Sequence, residues 1–198
     1  MRPDASDEEL MELAATGDQQ AYQVLAGRLR PRVKRFLRRL GCGLAEADDL
    51  AQETLIRLWV YRRSYHPERP LGPYLLGIAK NAYLAHCERT AREGAVAATP
   101  AAGELDRLLL RNGWQAEGPE SAFFAHYREF RLAQAVSALP EGERLVFVLK
   151  HHEGLPYDEI ASLLDIAEGT VKSRMFRAVR ALRRALPDLE PGGAQEES

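Results

Sequence analysis

Residues 157–186 read YDEIASLLDIAEGTVKSRMFRAVRALRRAL, and this stretch decides the fold. A short apolar-periodic run (YDEIASLL) is followed by a three-residue break (Asp165, Ile166, Ala167) and then by a longer basic run with helical spacing. That is the pattern of a helix-turn-helix. Ala161 sits where the two helices approach closely, Ile160 and Leu164 point inward, and Val171 and Met175 supply the facing apolar positions. Thr170, Lys172, Ser173, Arg174, Phe176 and Arg177 then project outward or sideways from the first two turns of the second helix. Long cations among small hydroxyl donors suit duplex DNA, because Arg or Lys reaches guanine O6 and N7 while Ser and Thr reach phosphates or bases. The alternative for the same pattern is a solvated amphipathic hairpin.

Whole-chain charge argues the other way at first sight. The chain has 198 residues with 27 Lys and Arg against 29 Asp and Glu, a net charge of −2, and phosphate contacts need clustered cations. The charge is patterned, however. Residues 28–39 (RLRPRVKRFLRR) carry seven basic residues and no acid, and residues 168–186 carry six basic residues against Glu168 alone. Acid gathers in the first twelve residues and in the last twelve. The near-neutral total is a sum of opposed patches.

Apolar residues recur at three- and four-residue spacings throughout, without β-branched alternation, so an all-α chain with no sheet is expected. A first helix is expected over residues 7–16, ended by Gly17, and Asp18 is placed to cap the next, which carries Ala21, Tyr22, Leu25 and Leu29 on one face. In the basic block the arginines alternate with Val33, Phe36, Leu37 and Leu40, which predicts an amphipathic helix with a cationic exposed side. Across residues 45–65, Leu50, Thr54, Leu55, Leu58 and Trp59 form one stripe, while Asp48, Asp49, Gln52 and Glu53 form a second as i,i+4 pairs. Prolines and a glycine at 67–73 force a loop, with Pro73 as the first residue of a helix to about residue 92. Residues 93–121 are rich in Ala, Gly, Pro and Glu and read as a flexible linker, with one short apolar run at 105–110. Beyond it, Phe123, Tyr127, Phe130, Ala133 and Val136 predict a core stripe. The expected organisation is two small helical domains, 1–92 and 122–189, joined by the 93–121 linker and followed by an acidic tail at 190–198.

Residues 137–186 resemble the C-terminal promoter-reading domain of bacterial extracytoplasmic-function (ECF) sigma factors. The N-terminal half carries an independent likeness: ADDLAQETLIRLW (47–59) is similar to the family's polymerase-binding helix, and RPLGPYLLGIAKNAYLAHCER (69–89) resembles its melting and minus-ten segment. The two likenesses arrive in the family's order, with its usual short linker between them. The resemblance implies that Lys172, Ser173, Arg174, Phe176 and Arg177, with Thr170 beside them, face the minus-35 element. It implies that Asp48, Asp49, Gln52 and Glu53 face the coiled-coil helices of the polymerase's largest subunit. It further implies that Tyr65, His66, Arg69, Tyr74, Lys80 and Asn81 hold unpaired minus-ten bases, since rings stack on bases and cations hold the backbone. Partners expected on this basis are core RNA polymerase (largest-subunit coiled coil and flap), promoter DNA and an anti-sigma factor, with the chain itself a monomer.

Several positions depart from the family pattern. Ala167 replaces a capping Ser before the second helix, Asp165 replaces a turn Gly, and Pro156 replaces Ser or Thr ahead of Tyr157. Tyr74 stands where Trp is usual, and Cys87-Glu88 where Leu-Arg is typical; both bear on the minus-ten preference.

Other chemistries find little support. Cys42 and Cys87 lack Cys-x-x-Cys spacing, and the adjacent His151 and His152 diverge by about 100° on a helix, so no metal site is expected. There is no nucleophile elbow, phosphate loop or apolar carboxylate pair, so neither a cofactor nor catalysis is expected. The acidic N-terminus and the absence of an 18-residue apolar run predict a cytoplasmic protein without membrane insertion. Two rivals from other classes are a stand-alone helix-turn-helix regulator that dimerises on a palindrome, and a helical adaptor that works through its acidic face.

Overall fold

The computed structural model of the protein describes residues 5–92 and 119–187. Among these residues every regular element is helical, and the chain divides into two compact units. The first holds α1 (Asp7–Ala15), α2 (Gln19–Arg39), α3 (Leu44–Val60), a 3₁₀ turn (Arg62–Ser64) and α4 (Leu71–Arg92). The second holds α5 (Pro119–Ser137), α6 (Glu141–His151), α7 (Tyr157–Leu164) and α8 (Glu168–Ala185). Of the expected linker, residues 93–118 lie outside the described residues, as do the 105–110 run and the acidic tail. Helix α5 starts at Pro119, a little before the expected boundary at 122.

Local chemistry sets the helix ends. Ser6 caps α1 by accepting from the Glu9 N–H at 3.1 Å, while the Glu9 carboxylate accepts from the Ser6 N–H at 2.7 Å, a reciprocal box that satisfies two otherwise orphaned donors. Gly17, with φ 107°, turns the chain out of α1. Asp18 then caps α2 as predicted, its Oδ1 accepting from the Gln20 and Ala21 N–H groups at 2.9 and 3.0 Å. Helix α2 runs unbroken through Pro31. Gly27 and Pro31 lie i,i+4 on the exposed side, so the carbonyl that proline leaves without a donor can be hydrated, which lowers the cost of an interior proline.

The core of the first unit is the inward stripe of each helix: Leu25, Leu29, Val33 and Phe36 of α2, Leu50, Thr54 and Leu58 of α3, and Leu75, Leu76 and Ala79 of α4 are all buried. Thr54 is buried at no polar cost because its hydroxyl donates to the Leu50 carbonyl at 2.7 Å. Tyr22 ties α2 to α3, its hydroxyl donating to the Leu55 carbonyl. Helix α3 packs against α4, and α1 closes the unit over α4 and the 3₁₀ turn.

Three expectations need correction. Helix α3 ends at Val60 rather than continuing to residue 65: the Arg62 guanidinium donates back to the Trp59 carbonyl at 2.8 Å and lies 3.9 Å over the Trp59 ring, closing a tighter turn. Helix α4 begins at Leu71, which is buried, so Pro73 sits within the first turn, where an absent N–H is still harmless. The stripe on α5 is not core throughout, and the side chain of Phe123 lies outside the described residues. Val136 is buried, whereas Tyr127 and Ala133 are exposed, Tyr127 accepting from Arg131 at 2.9 Å. In the second unit α8 packs against both α6 and α7, and Val146, Val148, Ile160, Val171 and Ala178 form its centre.

Candidate functional site

The turn between α7 and α8 is built by backbone geometry. Asp165 follows α7 with φ 53° and ψ 50°, and its N–H reaches the Ala161 and Ser162 carbonyls, while the Ile166 N–H donates to Ala161 O at 3.1 Å. A left-handed residue closing the last carbonyls is the usual way a helix stops, and Asp accepts that conformation better than most L residues. Ala167 then opens α8 in an extended conformation with no side-chain cap. The short helix, the three-residue break and the start of α8 fall where the sequence places them, whereas α8 ends at Ala185, one residue before the expected Leu186.

On α8 the inward row is Val171, Met175, Ala178 and Leu182, all buried. The other faces carry the candidates: Lys172, Ser173, Phe176 and Arg177 are exposed, and Thr170 and Arg174 are half-buried. Phe176 is 68% exposed, so its ring is open on this face. Lys172 pairs with Glu168 one turn earlier at 2.6 Å, and that hydrogen bond lifts its ammonium above the usual lysine range. The Ser173 hydroxyl donates to the Thr170 carbonyl at 2.9 Å. Arg177 reaches across to α6, its Nε donating to Glu143 Oε1 at 2.8 Å. Arg174 lies against the same turn of α6: a Cβ built on Gly142 would meet its guanidinium at 3.1 Å. Farther along, Val179, Arg180, Arg183 and Arg184 continue the strip begun by Phe176.

The acidic stripe of α3 is less uniform than its sequence. Asp48 is engaged within the unit, bonded to Lys34 at 2.8 Å and Arg30 at 3.2 Å on α2, and its carboxyl is held below the usual range first by the Lys34 hydrogen bond. Glu53 pairs with Arg57 at 2.5 Å. Asp49 and Gln52 are exposed. Gln52 lines an open groove of about 380 Å³ between α2 and α3, whose lining also includes Tyr22, Leu55, Ile56 and Trp59. Ile56, 55% exposed, adds an apolar element that the two-stripe reading missed, although its position one turn beyond Gln52 is visible in the sequence.

The cationic side of α2 is also partly used internally. Arg28 pairs with Asp7 at 3.2 Å, and Arg38 donates to the Cys42 carbonyl at 2.9 Å, beside the Arg30 and Lys34 pairs with Asp48.

Between α3 and α4, Tyr65 is 6% exposed, with its hydroxyl donating to the Arg69 carbonyl at 2.9 Å. Its ring lies 5.5 Å from that of Tyr74, which donates to the Tyr61 carbonyl at 3.2 Å. Burial pushes both phenols up, so both stay neutral donors. Tyr65 thus pins the loop that displays His66 and Arg69, both exposed. Asn81 lies exposed and Lys80 half-buried two turns down α4 from Tyr74.

Among the described residues no group of three or more His, Cys, Asp or Glu is placed to hold a metal ion, and no helix is long and apolar enough to cross a membrane.

Two segments of the chain match known family models. Residues 25–93 match the model of sigma-70 region 2 and residues 129–182 that of sigma-70 region 4. The chain is 31% identical over 175 residues to the ECF RNA polymerase sigma factor SigW of Bacillus subtilis, covering 87% of this chain and 92% of the relative. It is 29% identical over 187 residues to the RNA polymerase sigma-H factor of Pseudomonas aeruginosa, covering 92% and 95% respectively. Among solved structures, the sigma factor RpoE in complex with the anti-sigma factor NepR from Bartonella quintana superposes with a TM-score of 0.61 at 23% identity, over 82% of this chain and 94% of that one. With both regions present in order and a relative this similar across nearly its whole length, the chain belongs to the ECF-type sigma-70 family: it is a non-enzymatic sigma factor for promoter recognition by RNA polymerase.

Proposed function

We propose that the factor divides promoter recognition among three surfaces of its own. Helix α8 enters the major groove of the minus-35 duplex with Lys172, Ser173, Arg174, Phe176 and Arg177, and Thr170 flanks it at the helix start. The observation that carries this reading is the split of α8: its inward row is buried against α6 and α7, while four of the six named side chains are open to a partner. The loop after α3, pinned by Tyr65, and the exposed side of α4 hold the melted minus-ten strand through His66, Arg69, Tyr74, Lys80 and Asn81. On this reading Tyr65 positions the loop instead of stacking on a base, because its ring is already covered.

The third surface is the α2–α3 face, which takes a helix of core polymerase. Asp49 and Gln52 supply its directional polar contacts and Ile56 its apolar one. Asp48 and Glu53 support the face from within, through Lys34, Arg30 and Arg57. Charge reversal at Asp49 combined with Gln52→Lys is expected to abolish co-purification with core polymerase; unchanged co-purification would remove this assignment. An inhibitory protein of the anti-sigma class is a further partner this reading implies, supported by the solved complex of a structurally similar sigma factor. The site of action is the cytoplasm, where polymerase and chromosome meet.

The direct test is addition of the purified chain to core polymerase on genomic fragments, with mapping of transcript starts. Starts at a recurring pair of sequence elements are expected. Absence of initiation, together with tight binding of a palindromic duplex by a dimer, would favour a stand-alone regulator.

A further inference from the structure

The first turn of α6 lies outside the helix-turn-helix, yet it touches both arginines of the proposed recognition surface. Glu143 accepts from Arg177 Nε at 2.8 Å, and its side chain is only 14% exposed whereas that of Arg177 is 55% exposed. The acceptor is therefore recessed and the cation projects. One residue earlier, Gly142 leaves the space that the Arg174 guanidinium occupies, with a built Cβ meeting it at 3.1 Å. A contact that spans 34 residues and joins two helices does not arise from local helix pairing.

We propose that the first turn of α6 is a positioning shelf for guanine recognition: Glu143 orients Arg177, and Gly142 sets the lie of Arg174. The proposal rests on the reading of α8 as the duplex reader. Its chemistry follows from the guanidinium fork. The Nε edge is held by the carboxylate, which leaves the two terminal amino groups to present a parallel pair of donors to guanine O6 and N7. An untethered arginine would have to select that orientation from many rotamers on meeting the base. The same carboxylate is a negative charge beside the phosphate backbone, so it works against non-specific binding. Glu143 is a positioning residue whose removal should move specificity and general affinity in opposite directions.

The experiment uses the full chain with core polymerase. Duplexes with a randomised upstream window are selected by the wild-type holoenzyme, and each variant is then titrated against the selected duplex, its single-base variants and a scrambled duplex. Arg177→Ala is expected to flatten the preference for G at one position by tenfold or more. Glu143→Ala should flatten the same position while binding the scrambled duplex at least as tightly as wild type. Glu143→Gln keeps an acceptor for Nε and should retain most of the preference. Gly142→Ala adds helix propensity and so is not expected to unfold the unit. It should displace Arg174 and weaken preference at a second position. Unchanged base preference in both Glu143→Ala and Gly142→Ala would overturn the shelf. So would tighter binding of specific and scrambled duplex alike in Glu143→Ala, which would make Glu143 a competitor for Arg177. Failure of the wild-type holoenzyme to select any upstream motif would instead sink the reading of α8 itself.

Discussion

Tyr22 shows how one side chain couples sequence to assembly. Its hydroxyl joins α2 to the Leu55 carbonyl, its ring lies 4.8 Å from Trp59, and burial pushes its phenol up to about 12. Because the folded-state pKa is raised, the contribution is complete below the unfolded value near pH 10 and is lost as pH rises through the folded one. Tyr22→Phe is expected to cost about 1 kcal/mol at neutral pH, read by denaturant unfolding, and to remove one late-titrating phenol from the ultraviolet phenolate titration. Asp48 has the opposite sign. Its carboxyl is lowered by Lys34 and Arg30, so its pairing is complete above about pH 4 and fades as pH falls through the lowered folded value. The Tm difference between wild type and Asp48→Asn should therefore shrink between neutral pH and pH 3. At the DNA surface, Arg177→Ala is expected to lose about 1–3 kcal/mol of discrimination between matched and mismatched duplex. Equal weakening on both duplexes would mark a phosphate contact.

At the scale of elements, the α7–α8 turn offers two stabilising changes, because its geometry is present without the residues that favour it most. Ala167 occupies the cap of α8 with no side-chain acceptor; Ala167→Ser is expected to add about 1 kcal/mol. Asp165→Gly removes a Cβ from a left-handed residue and is expected to add about 0.5 kcal/mol or more, set against the larger entropy of glycine in the unfolded chain. Thermal unfolding of each variant measures both. This turn was fully legible in the sequence because what defines it is local, two apolar periods on either side of a break between Ile160 and Met175. The end of α3 was not, since it depends on Arg62 folding over Trp59 instead of extending the helix. The α3 stripe was half legible. Periodicity placed Asp48, Asp49, Gln52 and Glu53 on one side, but only the packing of α2 beside α3 reveals that Asp48 already has two cationic partners. Glu143 escaped detection for the same reason, its partner being 34 positions away on another helix.

Across the whole molecule, the net charge of −2 conceals a cationic α8 and a basic α2 that is partly neutralised by its own unit. Only part of the positive charge counted in the sequence is therefore open to phosphate. A factor delivered to DNA by polymerase has no need to bind duplex tightly alone. The free protein is expected to bind random duplex weakly at physiological salt, and tight binding there would contradict this account. Its log–log salt dependence should become shallower by about 0.9 for each α8 arginine that contacts a phosphate and is replaced by Ala; Arg183 and Arg184 are the first to test.

The guanidinium stacked on Trp59 gives the first unit an optical probe. The chain has two tryptophans, so Trp114→Phe leaves an indole that lines the α2–α3 groove with Arg62 over its ring and Tyr22 nearby. An occupant of that groove excludes water from the ring and changes both its emission maximum and its quenching by iodide. Arrival of a polymerase helix, or of an inhibitor competing for the same place, is thereby readable in real time without any attached dye.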